Sequence, residues 1–190
     1  MSTIVDFYNH FLKIQMTQSQ EEYVLSQYKR VSVKKKTIIF REGDENTKHY
    51  IIEKGLVRLY IIDPKGKEIN ILFAKENQVI GDLATPQATC FFLETTEDSI
   101  LYSIDDKGMK HVVEVLGASN GMENGLRRSY VSIQRRLVSI LSKSAEENYL
   151  EFKEKYPDLI QRLPQYHIAS YLGVSAEFLS KIIARTTKAN

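Results

Sequence analysis

Apolar positions along this 190-residue chain change their period twice. At the start Ile4, Phe7, Phe11 and Leu12 recur at helical spacing, and a second short helix fits residues 20–28. From 31 to 104 the chain breaks into short runs rich in β-branched and aromatic residues: VSV, TIIF, HYIIE, LVRLYII, EINILFA, QVIG, CFFLET and SILYSI. Turn-forming residues separate them at Glu42-Gly43-Asp44, Lys54-Gly55, Asp63-Pro64-Lys65-Gly66 and Gly81-Asp82. Eight strands with no helix between them predict an antiparallel barrel or roll.

Helical period returns at Asp105 with a short helix to about Leu116, and residues 119–143 read as one long helix. On it Met122, Leu126, Ile133 and Ile140 trace an apolar seam, interrupted by Ser129 and Arg136, with heptad-like steps. Such a helix either packs along its own roll or joins two subunits. Arg127, Arg128, Arg135 and Arg136 on its other faces favour the second reading. Ser144 and Glu147 form a capping box, so a new helix starts there and ends before Pro157.

The last 27 residues, PQYHIASYLGVSAEFLSKIIARTTKAN, carry the spacing of a helix-turn-helix. Ala169 is small enough for two helices to cross closely, Gly173 accepts a tight turn, and Leu179 and Ile182 share one face of the next helix. Pro164 suits a first turn and Ser175 an N-cap, giving helices over about 164–172 and 176–185. An ordinary packed hairpin with Ile168, Leu172, Val174, Leu179 and Ile182 as core explains the apolar half equally well. The outer half decides, because Ala176, Glu177, Ser180, Lys181 and Arg185 are short polar and basic groups suited to base edges and phosphates. From Gln161 onward four basic residues, Arg162, Lys181, Arg185 and Lys188, face one acid, Glu177.

Composition narrows the classes further. A formal charge of +2 and a pI near 8.5 fit DNA binding without requiring it, and 43% hydrophobic residues fill a core. The single cysteine, Cys90, excludes an internal disulfide framework and a cluster needing several thiolates; it reads as a small buried hydrophobe in a strand. No apolar run approaches a membrane span of roughly 18–20 residues, and the start lacks the layout of a signal peptide, so no membrane partner and a cytoplasmic location are expected.

The order roll, long helix, helix-turn-helix resembles the CRP/FNR family of bacterial transcription regulators over almost the whole chain. REGD (41–44), EKGLVRLY (53–60), IGDL (80–83) and HIASYLGVSAEFLSKI (167–182) carry the resemblance. It implies an α+β fold: an antiparallel double-stranded, jelly-roll-like β-roll, a long dimerisation helix and a helical DNA-binding domain. The corresponding domains are 1–116, 117–143 and 144–190. It also implies a homodimer that reads palindromic double-stranded DNA, with RNA polymerase and a small effector as further partners. The family's recognition positions fall on Ala176, Glu177 and Lys181, and Gln165, Ser175, Ser180 and Arg185 complete the expected DNA-binding set. Alanine cannot donate to guanine, and lysine lacks the planar fork of arginine, so base preference should depart from the common pattern. The seven-residue step from Pro157 to Pro164 leaves no room there for a β-hairpin wing.

Cyclic-nucleotide binders of the family use Gly-Glu-Leu followed by an arginine beside a small hydroxyl residue. Gly81-Asp82-Leu83 keeps the first half, but residues 76–106 contain no lysine or arginine and seven acids: Glu76, Asp82, Glu94, Glu97, Asp98, Asp105 and Asp106. Burying a phosphate there lacks compensating charge, so the roll is expected not to bind cyclic nucleotide unless Arg58 or an arginine of the long helix substitutes. The leading expectation is a roll that is unliganded or takes an apolar or neutral effector, lined by Gly81, Asp82, Leu83, Cys90, Phe92, Ser129 and Ser132. His10, His49, His111 and His167 show no ligand pairing for haem. A cupin-like metalloenzyme needs histidines on neighbouring strands, and only His49 falls in the roll, so no metal, cofactor or catalytic residue is expected. A non-DNA signalling module on the same roll, docking through the terminal helices, is the remaining alternative.

Overall fold

The structure, a computed structural model, describes residues 3–45, 48–82 and 88–188. Among them the chain forms α1 (Thr3–Leu12), α2 (Gln18–Ser26), β1 (Lys29–Val33), β2 (Ile38–Phe40), β3 (Lys48–Lys54), β4 (Val57–Ile62), β5 (Glu68–Ala74), β6 (Val79–Gly81), β7 (Phe92–Thr95) and β8 (Ser99–Asp105). There follow α3 (Asp106–Val115), α4 (Ser119–Ser142), α5 (Ala145–Lys155), α6 (Pro157–Arg162), α7 (Gln165–Leu172) and α8 (Ala176–Lys188). Each of the eight expected apolar runs overlaps one strand, with β1, β3 and β8 extending beyond theirs. The seventh run shortens, because CFFLET becomes a strand only from Phe92, and Cys90 lies before it and is exposed rather than buried.

Two four-stranded antiparallel sheets, in the orders β1-β8-β3-β6 and β2-β7-β4-β5, build the roll. Alternation along the strands supplies its core: Tyr50, Ile52, Ile80 and Leu101 from one sheet meet Phe40, Val57, Leu59, Ala74 and Leu93 from the other. Strand β3 is buried on both faces. Its Ile51 points the other way and, with Ile104, packs beneath α1, α2 and α3 through Ile4, Phe7, Tyr8, Leu12, Val24 and Val112. Gly55 has a φ of +106°, and a Cβ there would lie 2.2 Å from the Ser99 hydroxyl, so the β3–β4 turn tolerates no side chain.

Caps fix the helix starts. Thr17 with Gln20 and Ser144 with Glu147 form capping boxes at α2 and α5, and the Asp105 carboxylate accepts from the Gly108 amide at 2.7 Å at α3. The step between Pro157 and Pro164 holds the short helix α6, with proline in its first turn.

By internal contacts the chain divides into two compact units, one of residues 1–61 and 72–129, the other of residues 62–71 and 130–190. The second unit thus contains the tip of the β4–β5 hairpin together with the later part of α4 and all following helices. Its core is Tyr149, Phe152, Leu159, Leu163, Ile168, Ala169, Leu179 and Ile182, all buried, with α5 touching α6, α7 and α8. No helix among the described residues is long and apolar enough to cross a membrane, and none of their His, Cys, Asp and Glu side chains cluster in threes that would hold a metal.

Candidate nucleic-acid interface and effector region

Helices α7 and α8 are joined by residues 173–175. Gly173 adopts the left-handed conformation at φ 72°, and the Val174 amide donates to the Ala169 carbonyl at 3.0 Å, so the α7 C-terminus closes on itself. Ser175 then caps α8, its hydroxyl oxygen accepting from the Phe178 amide at 3.1 Å. Ile168, Ala169, Leu179 and Ile182 are buried as their spacing requires. Gln165, Ser175, Ala176, Glu177, Ser180, Lys181 and Arg185 are all exposed. The Glu177 carboxyl is held below the usual carboxylate range by its own backbone amide, then by the Ser175 hydroxyl and the Lys181 charge one turn on. At neutral pH it is therefore a hydrogen-bond acceptor only. Two aromatics of the same helices, Tyr166 and Phe178, are also exposed and were not among the expected residues.

Sequence reasoning also missed a polar clasp in the same unit. Asn70, 0% exposed on β5, donates through its amide to the His167 carbonyl at 3.1 Å and lies 3.2 Å from His167 Nδ1. The Asn70 backbone amide donates to Ser170 Oγ at 3.0 Å, and Ser170 in turn donates to the Glu68 carbonyl at 2.8 Å. Arg136 of α4 lies 3.8 Å over the Tyr171 ring and donates to the carbonyls of Ile71 and Tyr171. Burial lowers its pKa, with the Tyr171 and Tyr156 rings acting against that. Such long-range pairs leave no local sequence signal.

The residues expected to line an effector pocket are spread out. Gly81 ends β6 opposite His49, where a Cβ would come 2.8 Å from His49 Nδ1, so only glycine permits that approach. Asp82 is buried, and Leu83 lies outside the described residues. Cys90, Ser129 and Ser132 are exposed, Ser129 donating to the Gly125 carbonyl at 3.2 Å. Phe92 stacks on Tyr60 with ring centroids 5.1 Å apart. Opposite the core-facing Val57, Leu59 and Leu93, the β4–β7 register pairs Arg58 with Glu94 and Tyr60 with Phe92. Arg58 is buried, lies 3.9 Å over the Tyr60 ring and donates through Nε to Glu94 at 2.9 Å. The arginine considered as a substitute phosphate ligand thus already holds a half-buried carboxylate.

The α4 seam differs from expectation. Met122 is partly buried against the α1–α3 core of its own chain, whereas Leu126, Ile133 and Ile140 are exposed. Tyr130 and Leu137, 62% and 56% exposed, fill the gaps and complete an apolar stripe 126-130-133-137-140 with strict steps of four and three. Ser129 and Arg136, read as interruptions, lie beside that stripe, and Arg136 is turned into the clasp.

Residues 30–115 match the family described as cyclic nucleotide-binding domain. No protein with a curated description matches the sequence significantly. Among solved structures, the c-di-GMP-responsive global regulator CLP of Xanthomonas campestris superposes with a TM-score of 0.74 at 12% identity, over 91% of this chain and 93% of that one. FixK2 of Bradyrhizobium japonicum gives 0.74 at 16% identity, covering 85% of each chain. A CooA mutant from Carboxydothermus hydrogenoformans gives 0.71 at 18%, covering 94% of this chain and 83% of that one. The chain carries a cyclic nucleotide-binding domain match in its strand-rich part and has, over most of its length, the fold of CRP/FNR-type regulators.

Proposed function

We propose that this chain is a bacterial, cytoplasmic transcription regulator of the CRP/FNR type and not an enzyme. In this reading it binds an inverted-repeat DNA site as a homodimer, with α7 and α8 as its helix-turn-helix. The observation that carries the reading is the amphipathic division of α8. Leu179 and Ile182 are buried, while Ala176, Glu177, Ser180, Lys181 and Arg185 stay exposed with no apolar partner to cover. The apolar stripe on α4 supports the two-fold axis that a palindromic site demands. RNA polymerase is the further partner this role entails. Selection from random duplexes with purified protein tests the reading: the selected sites should be inverted repeats with half-site centres about 34–36 Å apart. Unpaired half-sites, or no enrichment, count against it.

The roll is further proposed to hold no cyclic nucleotide. Arg58 is committed to Glu94, and residues 76–106 bring acids without a cation. A second reading, cyclic AMP or cyclic GMP in the roll, is favoured by the domain match over residues 30–115. Calorimetry at millimolar nucleotide separates the two. A missing charge-assisted bond of roughly 1.5–3 kcal/mol weakens binding at least about tenfold. Micromolar binding would restore the nucleotide as effector.

A further inference from the structure

The tip of the β4–β5 hairpin belongs to the same compact unit as the two terminal helices, and side chains hold it there. Asn70 and Glu68 are tied to His167 and Ser170 of α7, and Arg136 secures the carbonyl of Ile71. The backbone at the start of β5 is therefore fixed relative to α7. Just before it, Lys67 lines a cleft of about 280 Å3 together with Glu68, Tyr166, Ser175 and Ala176. Lys67 is exposed, and its ammonium makes no ion pair or hydrogen bond among the described residues, whereas Lys34 and Lys143 each reach a carboxylate.

A helix pair that reads the major groove sets the first helix across the sugar–phosphate backbone and the start of the second at the base edges. In this chain those two places are Tyr166 on α7 and Ser175–Ala176 at the start of α8, and Lys67 lies beside both. We propose that Lys67 of the hairpin tip is a DNA-backbone contact, its ammonium binding a phosphate of the half-site read by α8. The inference rests on the DNA-binding reading above and adds to it a residue from the strand-rich half of the sequence. Because the clasp orders the backbone beforehand, only the lysine's own rotamers remain to be fixed on binding. Glu68 also lines the cleft, so diffuse attraction there is slight and the contact must be a short-range one.

Anisotropy titrations of the full chain on its selected duplex, between about 50 and 200 mM salt, test this. One phosphate contact contributes about 0.9 to the slope of log affinity against log salt, so Lys67→Ala should lose about threefold less affinity than the wild type over that range. Lys67→Arg should restore the slope. Lys65→Ala, which removes an equal charge from the same tip but outside the cleft, should keep it, and base preference should be unchanged in all three. An unchanged slope in Lys67→Ala, an equal loss in Lys65→Ala, or tighter binding by Lys67→Ala would each overturn the assignment while leaving the DNA-binding reading intact. Wild-type protein without salt-dependent DNA binding would overturn both.

Discussion

Tyr8 and Tyr28 meet through their hydroxyls at 2.7 Å beneath α1, and burial pushes both phenols up, Tyr8 to about 12. A raised pKa means that the folded state holds the proton more tightly than the unfolded chain. The stability linked to it is complete below pH 10 and is lost as pH climbs towards 12. We expect the unfolding free energy to fall by about 2–3 kcal/mol per buried phenol across that window, and the Tyr8→Phe/Tyr28→Phe double variant to lack both contributions in denaturant titrations at each pH. The Arg58–Glu94 pair obeys a different rule. Glu94→Gln leaves a buried cation without its carboxylate and should cost about 3–5 kcal/mol, whereas Arg58→Met with Glu94→Leu should be nearly neutral. For the DNA contact proposed for the outer face of α8, the unit of effect is specificity. Glu177→Ala should relax base preference at one position by about 1–3 kcal/mol in a selection experiment, with little change in fold stability.

At the scale of elements, close approach matters more than periodicity. Gly125 is buried in α4 against Phe11 of α1, and a Cβ there would sit 2.1 Å from the ring, which already stacks on Phe7. Gly125→Ala should therefore destabilise by about 1–3 kcal/mol, and adding Phe11→Leu should recover part of it, as read from thermal melts of the single and double variants. Alanine is the better helix former by propensity alone, so a gain in stability would refute this packing. The same helix carries Met122 inward and Leu126 outward. Two residues four positions apart on one element thus serve two surfaces.

For the whole molecule the apolar stripe sets the expected assembly. Leu137→Glu places a charge within the stripe 126-130-133-137-140, where a second copy would bury it, and should shift sedimentation from dimer to monomer. Met122→Ala should instead lower the stability of the chain without dissociating it, since its side chain packs in its own core. A monomeric wild type would leave the stripe without the role proposed for it.

The eight strand segments among the described residues, the helix starts at Ser144 and Ser175, and the buried face of α8 were all readable from the sequence, because each is set by residues within a turn or two of one another. Local periodicity and capping carry that information. The burial of Arg58 against Glu94, the register of the α4 stripe through Tyr130 and Leu137, the exposure of Cys90 and the clasp of Asn70 on His167 were decided only in three dimensions. Arg58 and Glu94 are 36 residues apart and Asn70 and His167 are 97 apart. Whether a polar side chain meets its partner across such distances depends on how sheets and helices pack, and neither its type nor its spacing records that.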